Sequence, residues 1–284
     1  MQEIAATVTI VPIVTSNIEI HKIIKIATLK LDFGVAIFVT ILYNNCTYHF
    51  KGGLGMSKYS TLLFDADATL MDFHRSEHEA VKECLEFFSL PSDESVISKY
   101  SEINAGYWKM LERGEIEKEK LYPARWQSLI DFYGFDCKAK DISDKYIERL
   151  ATKSYMLDGA LELCQKLHGK FKMYIVTNGQ KDIQKSRLFP SPIFKYFDGC
   201  FISEDIGYEK PSIKYFEAVI SQIPDYDPQK AVIIGDSLTS DMQGGINAGI
   251  DTCWYNPAGK PLPDGYKLTY VVNNFEEMAD VLLA

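Results

Sequence analysis

From Tyr59 onward the chain alternates between two hydrophobic patterns. Residues 59–64, Tyr-Ser-Thr-Leu-Leu-Phe, form a short β-rich apolar run that stops abruptly at acidic residues, as a strand buried on both faces of a parallel sheet does. Runs of the same kind recur at 172–177, 200–203, 231–234 and 251–255. Helical periods lie between them, such as 160–168 closed by Gly169 and 213–220 following Pro211. Strands alternating with helices predict an α/β fold with a Rossmann-like parallel sheet.

One interval breaks the rhythm. Between Asp72 and Met156 no strand pattern occurs and four helices are predicted. Ser76-x-x-Glu79 reads as a capping box ahead of Val81, Leu85 and Phe88. Val96, Tyr100, Ile103, Tyr107 and Met110 follow at steps of four, three, four and three, with Gly114 as a stop. Residues 121–133 end at Gly134, and 142–155 make the fourth helix. The layout is therefore a core of residues 56–72 and 157–284, with a helical insert, 73–156, set as a lid over whatever the first strand presents.

Composition narrows the function. The chain of 284 residues is 46% hydrophobic and 24% charged, with a formal charge of −9. That balance suits a soluble globular protein, and the negative field argues against a nucleic-acid partner. Six scattered cysteines with no Cys-x-x-Cys pair make neither a zinc site nor a disulfide framework; they predict reduced thiols and a cytoplasmic protein. The most apolar run, 33–43, has eleven residues and includes Thr40, too short for the roughly 20 residues of a membrane span, so no membrane partner is expected.

The chemistry lies where the strands end, the place where open α/β sheets bind ligands. The first strand delivers Asp65-Ala66-Asp67-Ala68-Thr69 and the second Thr177-Asn178-Gly179. Lys210-Pro211 follows the third, and the fourth delivers Gly235-Asp236-Ser237, with Asp241 five residues past Asp236. Each piece alone reads as a turn or a helix cap; four in this order do not. Three converging carboxylates repel unless a divalent cation lies among them, and oxygen-only ligands favour Mg²⁺, with Mn²⁺ as a substitute. A carboxylate can attack phosphorus. Asp67, two residues on, is placed to protonate a leaving oxygen and then to activate water. The Thr177 hydroxyl and the amides near Asn178 suit phosphate oxygens, and the Lys210 ammonium offsets their charge.

The segments DADAT, TNG, EKP and GDSLTSD, in that order, resemble the haloacid dehalogenase superfamily, and the insert after the first segment resembles its C1-type cap. Within it, FDADATL, ISEDIGYEKP and SDMQGGINAGIDTCWYNP are similar to the YjjG-type pyrimidine 5′-nucleotidases. The resemblance runs from Met56 to Ala284. It implies that Asp65 is the nucleophile and Asp67 the general acid and base. It further implies Mg²⁺ on Asp65, the main-chain carbonyl of Asp67 and Asp236, with Asp241 behind them orienting Lys210 or a water. Ala68 stands where many members have Gly, a departure read as neutral.

The expected activity is therefore a Mg²⁺-dependent phosphomonoesterase acting on a small phosphorylated metabolite, a nucleoside 5′-monophosphate with pyrimidine preference. A sugar phosphatase or a phosphomutase keeps the same motifs. A hydrolytic dehalogenase needs neither Asp67 nor Asp236, and a non-catalytic binder on this scaffold is expected to lose a carboxylate that is present here. Phe73, Trp108 and Arg125 are the cap candidates for contact with a base or sugar, weighed against ordinary core packing, which is the stronger reading for Tyr107 and Trp108.

Residues 1–55 do not match the rest. They are rich in Ile, Val and Thr, lack Arg, and carry four lysines against three acidic residues. Lys51-Gly52-Gly53 can be encoded by a stretch containing a bacterial ribosome-binding sequence, with Leu54 and Gly55 as spacer before Met56. The expectation is that Met56 is the true initiator. N-terminal sequencing of the native protein tests it, and peptides from 1–55 would refute it.

Overall fold

The computed structural model describes residues 57–284 and, before them, the backbone of four strands. The chain divides into two units, 1–58 with Ala284, and 59–283. In the first, β1 (Thr7–Thr9), β2 (Ile23–Leu31), β3 (Gly34–Tyr43) and β4 (Cys46–Leu54) form an antiparallel sheet in chain order, in keeping with a segment rich in β-branched residues. Met56, the expected initiator, lies outside the described residues.

The second unit is built on a parallel sheet. Its strands are β5 (Thr61–Phe64), β6 (Lys172–Thr177), β7 (Gly199–Ile202), β8 (Ala231–Gly235), β9 (Asp251–Tyr255) and β10 (Tyr270–Val272), in the order β10-β9-β8-β5-β6-β7. Every residue of β5 and β8 is buried, which is why these segments read as unbroken apolar runs. Side chains alternate across the sheet. Leu62, Phe64, Ile175 and Ile234 pack with α5 (Ala160–Leu167) and α10 (Phe275–Leu283). Leu63, Val176 and Ile233 pack on the other face with Tyr215, Phe216 and Val219 of α8 (Ile213–Ile220). Strand β5 lies between β6 and β8, so the chain order reverses there and leaves a crevice at its carboxyl end.

The insert is a bundle of α1 (Phe73–Phe87), α2 (Glu94–Glu112), α3 (Lys118–Tyr133) and α4 (Ala139–Leu150). It has its own core around Tyr100, Trp126 and Tyr146. Two expected boundaries shift. Ser76 and Glu79 do not cap α1; Asp72 does, its side chain accepting from the Arg75 amide at 3.0 Å. The fourth helix stops at Leu150 rather than 155, because the chain there crosses back to the sheet. The two crossings pair: Asp72 N donates to Tyr155 O and Leu157 N to Leu70 O, both at 3.0 Å. Among the described residues no helix is long and apolar enough to cross a membrane.

Candidate active site

The loops after β5, β6 and β8 face one cavity of about 260 Å³, with the Lys210 segment beside them and the helical insert above. Asp65 follows β5 and is fixed by its amide, which donates to Ile234 O of β8 at 2.8 Å. Ala68, in the same loop, has φ 61°. A left-handed conformation costs a non-glycine residue roughly 1–2 kcal/mol, so alanine at this position is strained rather than neutral. Gly235 ends β8 where any side chain would overlap Asp241; a Cβ there would lie 2.2 Å from its Oδ2.

Carboxylate oxygens of Asp65, Asp236 and Asp241 lie within 4.8 Å of one another. One cation stands among them: Lys210 Nζ donates to Asp65 Oδ1 at 2.7 Å, to Asp241 Oδ1 at 2.6 Å and to Val176 O at 2.8 Å. Burial pushes the Asp65 carboxyl well above the usual carboxylate range, against the pull of Lys210. Burial and the Asp241 charge push Asp236 up to about 7. For Lys210 burial works against the charge, but Asp241 and Asp65 outweigh it and hold the ammonium protonated. Three carboxylates against one ammonium leave an excess of negative charge that a divalent cation fits, and all the donors are oxygens. The sequence reading set Asp241 behind the metal ligands; one of its oxygens lies inside the same cluster.

The Asp67 carboxylate is outside that cluster. Its oxygens accept from Arg187 Nη1 at 2.7 Å and Gln184 Nε2 at 2.8 Å, both on α6 (Lys181–Leu188). Thr177 is 2% exposed. Its Oγ1 accepts from Gly179 N at 3.1 Å and Gln184 Nε2 at 2.7 Å, which leaves its own proton to donate. The Asn178 side chain is spent on structure. It accepts from Lys210 N and donates to Lys210 O, both at 2.8 Å, clamping the segment with the cis Lys210-Pro211 bond. What remains at 178 for a phosphate is the main chain.

On the opposite wall, Phe73, Trp108 and Arg125 all line the cavity. Tyr107 does not; its hydroxyl pairs with Ser128 Oγ at 2.9 Å. Arg125 is 3% exposed, donates to Asn104 Oδ1 at 2.8 Å, and stands 4.9 Å from the Tyr146 ring centre and 5.5 Å from that of Tyr122. The sequence reading missed His74, Glu112, Tyr122 and Tyr146 on this wall, and Gln184 and Arg187 below. Insert and sheet are tied around the rim. Lys118 donates to Ser203 Oγ at 2.8 Å, Tyr122 to Glu204 at 2.9 Å, and Thr239 to Glu112 at 2.6 Å.

Known proteins are similar to this chain in sequence and fold. The chain is 37% identical over 227 residues to the HAD-hydrolase YfnB of Bacillus subtilis, covering 80% of this chain and 97% of that protein. The YfnB crystal structure, bound to magnesium, superposes with a TM-score of 0.76 over 79% of this chain and 99% of that one. Pyrimidine 5′-nucleotidase PynA of Streptococcus pneumoniae is 35% identical over 79% of this chain and 95% of its own length. Pyrimidine 5′-nucleotidase YjjG of Escherichia coli is 29% identical over 79% and 98%. Residues 62–255, which span the first five strands of the parallel sheet and the whole insert, match the haloacid dehalogenase-like hydrolases, and the protein belongs to that family.

Proposed function

We propose that the protein is a nucleoside 5′-monophosphate phosphatase with pyrimidine preference, working through an aspartyl phosphate on Asp65. The observation that carries this reading is one cavity with two faces: Asp65 and Asp67 at strand ends below, and a largely aromatic wall with Arg125 above. A planar base suits the upper wall, and a phosphate suits the lower. The names of PynA and YjjG give the pyrimidine preference its support; the physics sets none, because stacking on a ring is worth about 1–3 kcal/mol for any base.

A carboxylate oxygen of Asp65 attacks phosphorus while Asp67 protonates the departing 5′-oxygen. Asp67 then takes a proton from the water that attacks the phosphorus, returning Asp65 as carboxylate and releasing inorganic phosphate. Thr177, the main-chain amides beside it and Lys210 hold the phosphate oxygens. Asp65, Asp236 and the main-chain carbonyl of Asp67 would hold a divalent cation, which would supply neutralisation of the negative charge as the nucleophile meets the phosphate. We place the protein in the cytoplasm on the scattered cysteines of its sequence, which carry no disulfide-framework spacing.

The test is a hydrolysis screen over nucleoside monophosphates and sugar phosphates with Mg²⁺, alongside Asp65→Asn. The expected result is release of phosphate from pyrimidine nucleotides above all others, and none from the variant. Sugar phosphates cleaved far faster than any nucleotide would overturn the substrate assignment and leave the phosphatase standing.

A further inference from the structure

Helix α6 holds Asp67 by both carboxylate oxygens. Arg187 and Gln184 are three residues apart and so share a helical face. Each gives Asp67 one hydrogen bond, at 2.7 and 2.8 Å, and Arg187 Nη1 also donates to Gln184 Oε1 at 3.3 Å. Both side chains are 1% exposed. Neither belongs to the four strand-end segments. Because each carboxylate oxygen has two lone-pair directions, Asp67 can be gripped from this side and still present an oxygen to a leaving group on the other.

The rest of Arg187 faces the insert. Its Nε donates to Lys153 O at 2.8 Å, and Ser154 Oγ donates to the Arg187 carbonyl at 2.6 Å. Lys153 and Ser154 belong to the second crossing between insert and sheet, just before Tyr155, whose carbonyl pairs the two crossings. The guanidinium carbon also lies 5.6 Å from the Phe73 ring centre, at the start of α1. One buried cation thus touches Asp67, the second crossing and the first helix of the insert. Its Nη2 is buried without a partner.

We infer that Arg187 is a positioning residue for Asp67, anchoring the carboxylate to the crossing of the insert. The inference rests on the reading of Asp67 as general acid and base. Displacing such a group by about 1 Å can lower the rate about 10²-fold, and the loss falls hardest on esters whose leaving oxygen most needs a proton.

The experiment measures kcat/KM, which reports the attack of Asp65 and the departure of the leaving group but not the later hydrolysis of the aspartyl phosphate, on aryl monophosphates of graded leaving-group acidity and on a nucleotide. The proteins are the full chain, Arg187→Met, Arg187→Lys, Asp67→Asn and the Arg187→Met/Asp67→Asn double variant, with thermal melts of each. Arg187→Met is expected to lose about 10²-fold on the poorest leaving group and less than about tenfold on the best. Arg187→Lys should recover part of the loss on poor leaving groups, and the double variant should be no slower than Asp67→Asn, since both changes act on one proton transfer. Equal losses along the whole series, or losses that multiply in the double variant, would overturn the inference. If Arg187→Met does not fold, Arg187→Lys carries the test: it keeps the charge but has no Nε to reach Lys153, and unchanged kinetics across the series would refute the role. A wild-type protein that cleaves no monoester ends the functional reading itself, whereas a uniform loss in an active enzyme ends this inference alone.

Discussion

The ammonium of Lys210 lies 2.7 Å from Asp65, and its other two hydrogens are taken by Asp241 and the Val176 carbonyl. All three donors are therefore in use, and a phosphate oxygen gains Lys210 only as Asp65 gives up its bond. The exchange suits a nucleophile whose charge moves onto phosphorus during the reaction. It also means that Lys210 supports the fold.

Lys210→Met removes the one cation from a cluster of three carboxylates. Lys210 and Asp241 are each 1% exposed, so the variant leaves buried charge uncompensated. A loss of about 3–5 kcal/mol is expected, together with loss of turnover, and Mg²⁺ should restore part of the stability. Chemical denaturation with and without the metal checks this. A variant as stable as wild type would mean that the carboxylates are protonated or solvated in the resting protein.

Asp236 gives a pH dependence with a definite sign. Its carboxyl is pushed up to about 7, while in the unfolded chain it titrates near 4. Without metal the folded state therefore holds a proton that the unfolded state has released between these limits. The contribution of this group to stability falls as pH rises through the window and stays lost above it. Asp236→Asn should raise the metal-free melting temperature at about pH 8 and change it little near pH 4, at about 2–4 °C per kcal/mol for a protein of this size. Added Mg²⁺ should reverse the order by stabilising wild type more than the variant. An Asn variant no more stable than wild type at about pH 8 would show that the surroundings of Asp236 do not disfavour its charge.

The sheet was legible because its central strands are buried on both faces and read as apolar runs ending in polar motifs. Strand β10 was not: it has three residues, and Val271 is 45% exposed, so no period announces it. Ser76 and Glu79 satisfied a capping pattern, but Asp72 took the cap, and Glu79 instead accepts from Arg75 at 3.0 Å and Tyr155 at 2.6 Å. Tyr107 falls on the apolar stripe of α2 and Trp108 about 100° away from it, but the spacing does not say which side of the helix meets the cavity, and only the packing shows that it is the side of Trp108. Gln184 and Arg187 did leave a signal. Ile183 and Leu188 mark the inward face of α6, and the two polar residues lie on that same face, where unpaired polar groups are costly and need a purpose.

Residues 59–283 form a compact unit that contains every residue lining the cavity. A chain started at Met56 should therefore fold by itself and hydrolyse an aryl phosphate with the kcat of the full chain, measured side by side with circular dichroism of both. A truncated protein that aggregates or loses tenfold in kcat would show that the segment before Met56 is part of the working enzyme.

Arg125 is nearly buried, yet among the described residues it makes no ion pair. The nearest carboxylate in its network, Glu77, is separated from it by Asn104. Glu77 accepts from Ser101 Oγ at 2.7 Å and from Asn104 Nδ2 at 2.5 Å, and Asn104 Oδ1 accepts from Arg125 at 2.8 Å. An ionised carboxylate only accepts, so Asn104 must turn its amino group to Glu77 and its carbonyl to Arg125. The relay fixes the guanidinium on the cavity wall with hydrogens to spare, and these call for an acceptor on the ligand, such as a carbonyl or a sugar oxygen. A hydrogen bond from a charged donor contributes about 1.5–3 kcal/mol, so Arg125→Ala should raise KM for the nucleotide about 10- to 100-fold. Turnover of a small aryl phosphate, which does not reach that wall, should be nearly unchanged. Glu77→Gln should produce a smaller rise on the nucleotide alone, because its amide can donate to Asn104 and turn that side chain round. If either variant impairs both substrates alike, the relay holds the helical insert together and the groups that select the substrate lie elsewhere on the wall, with Trp108 the next to replace.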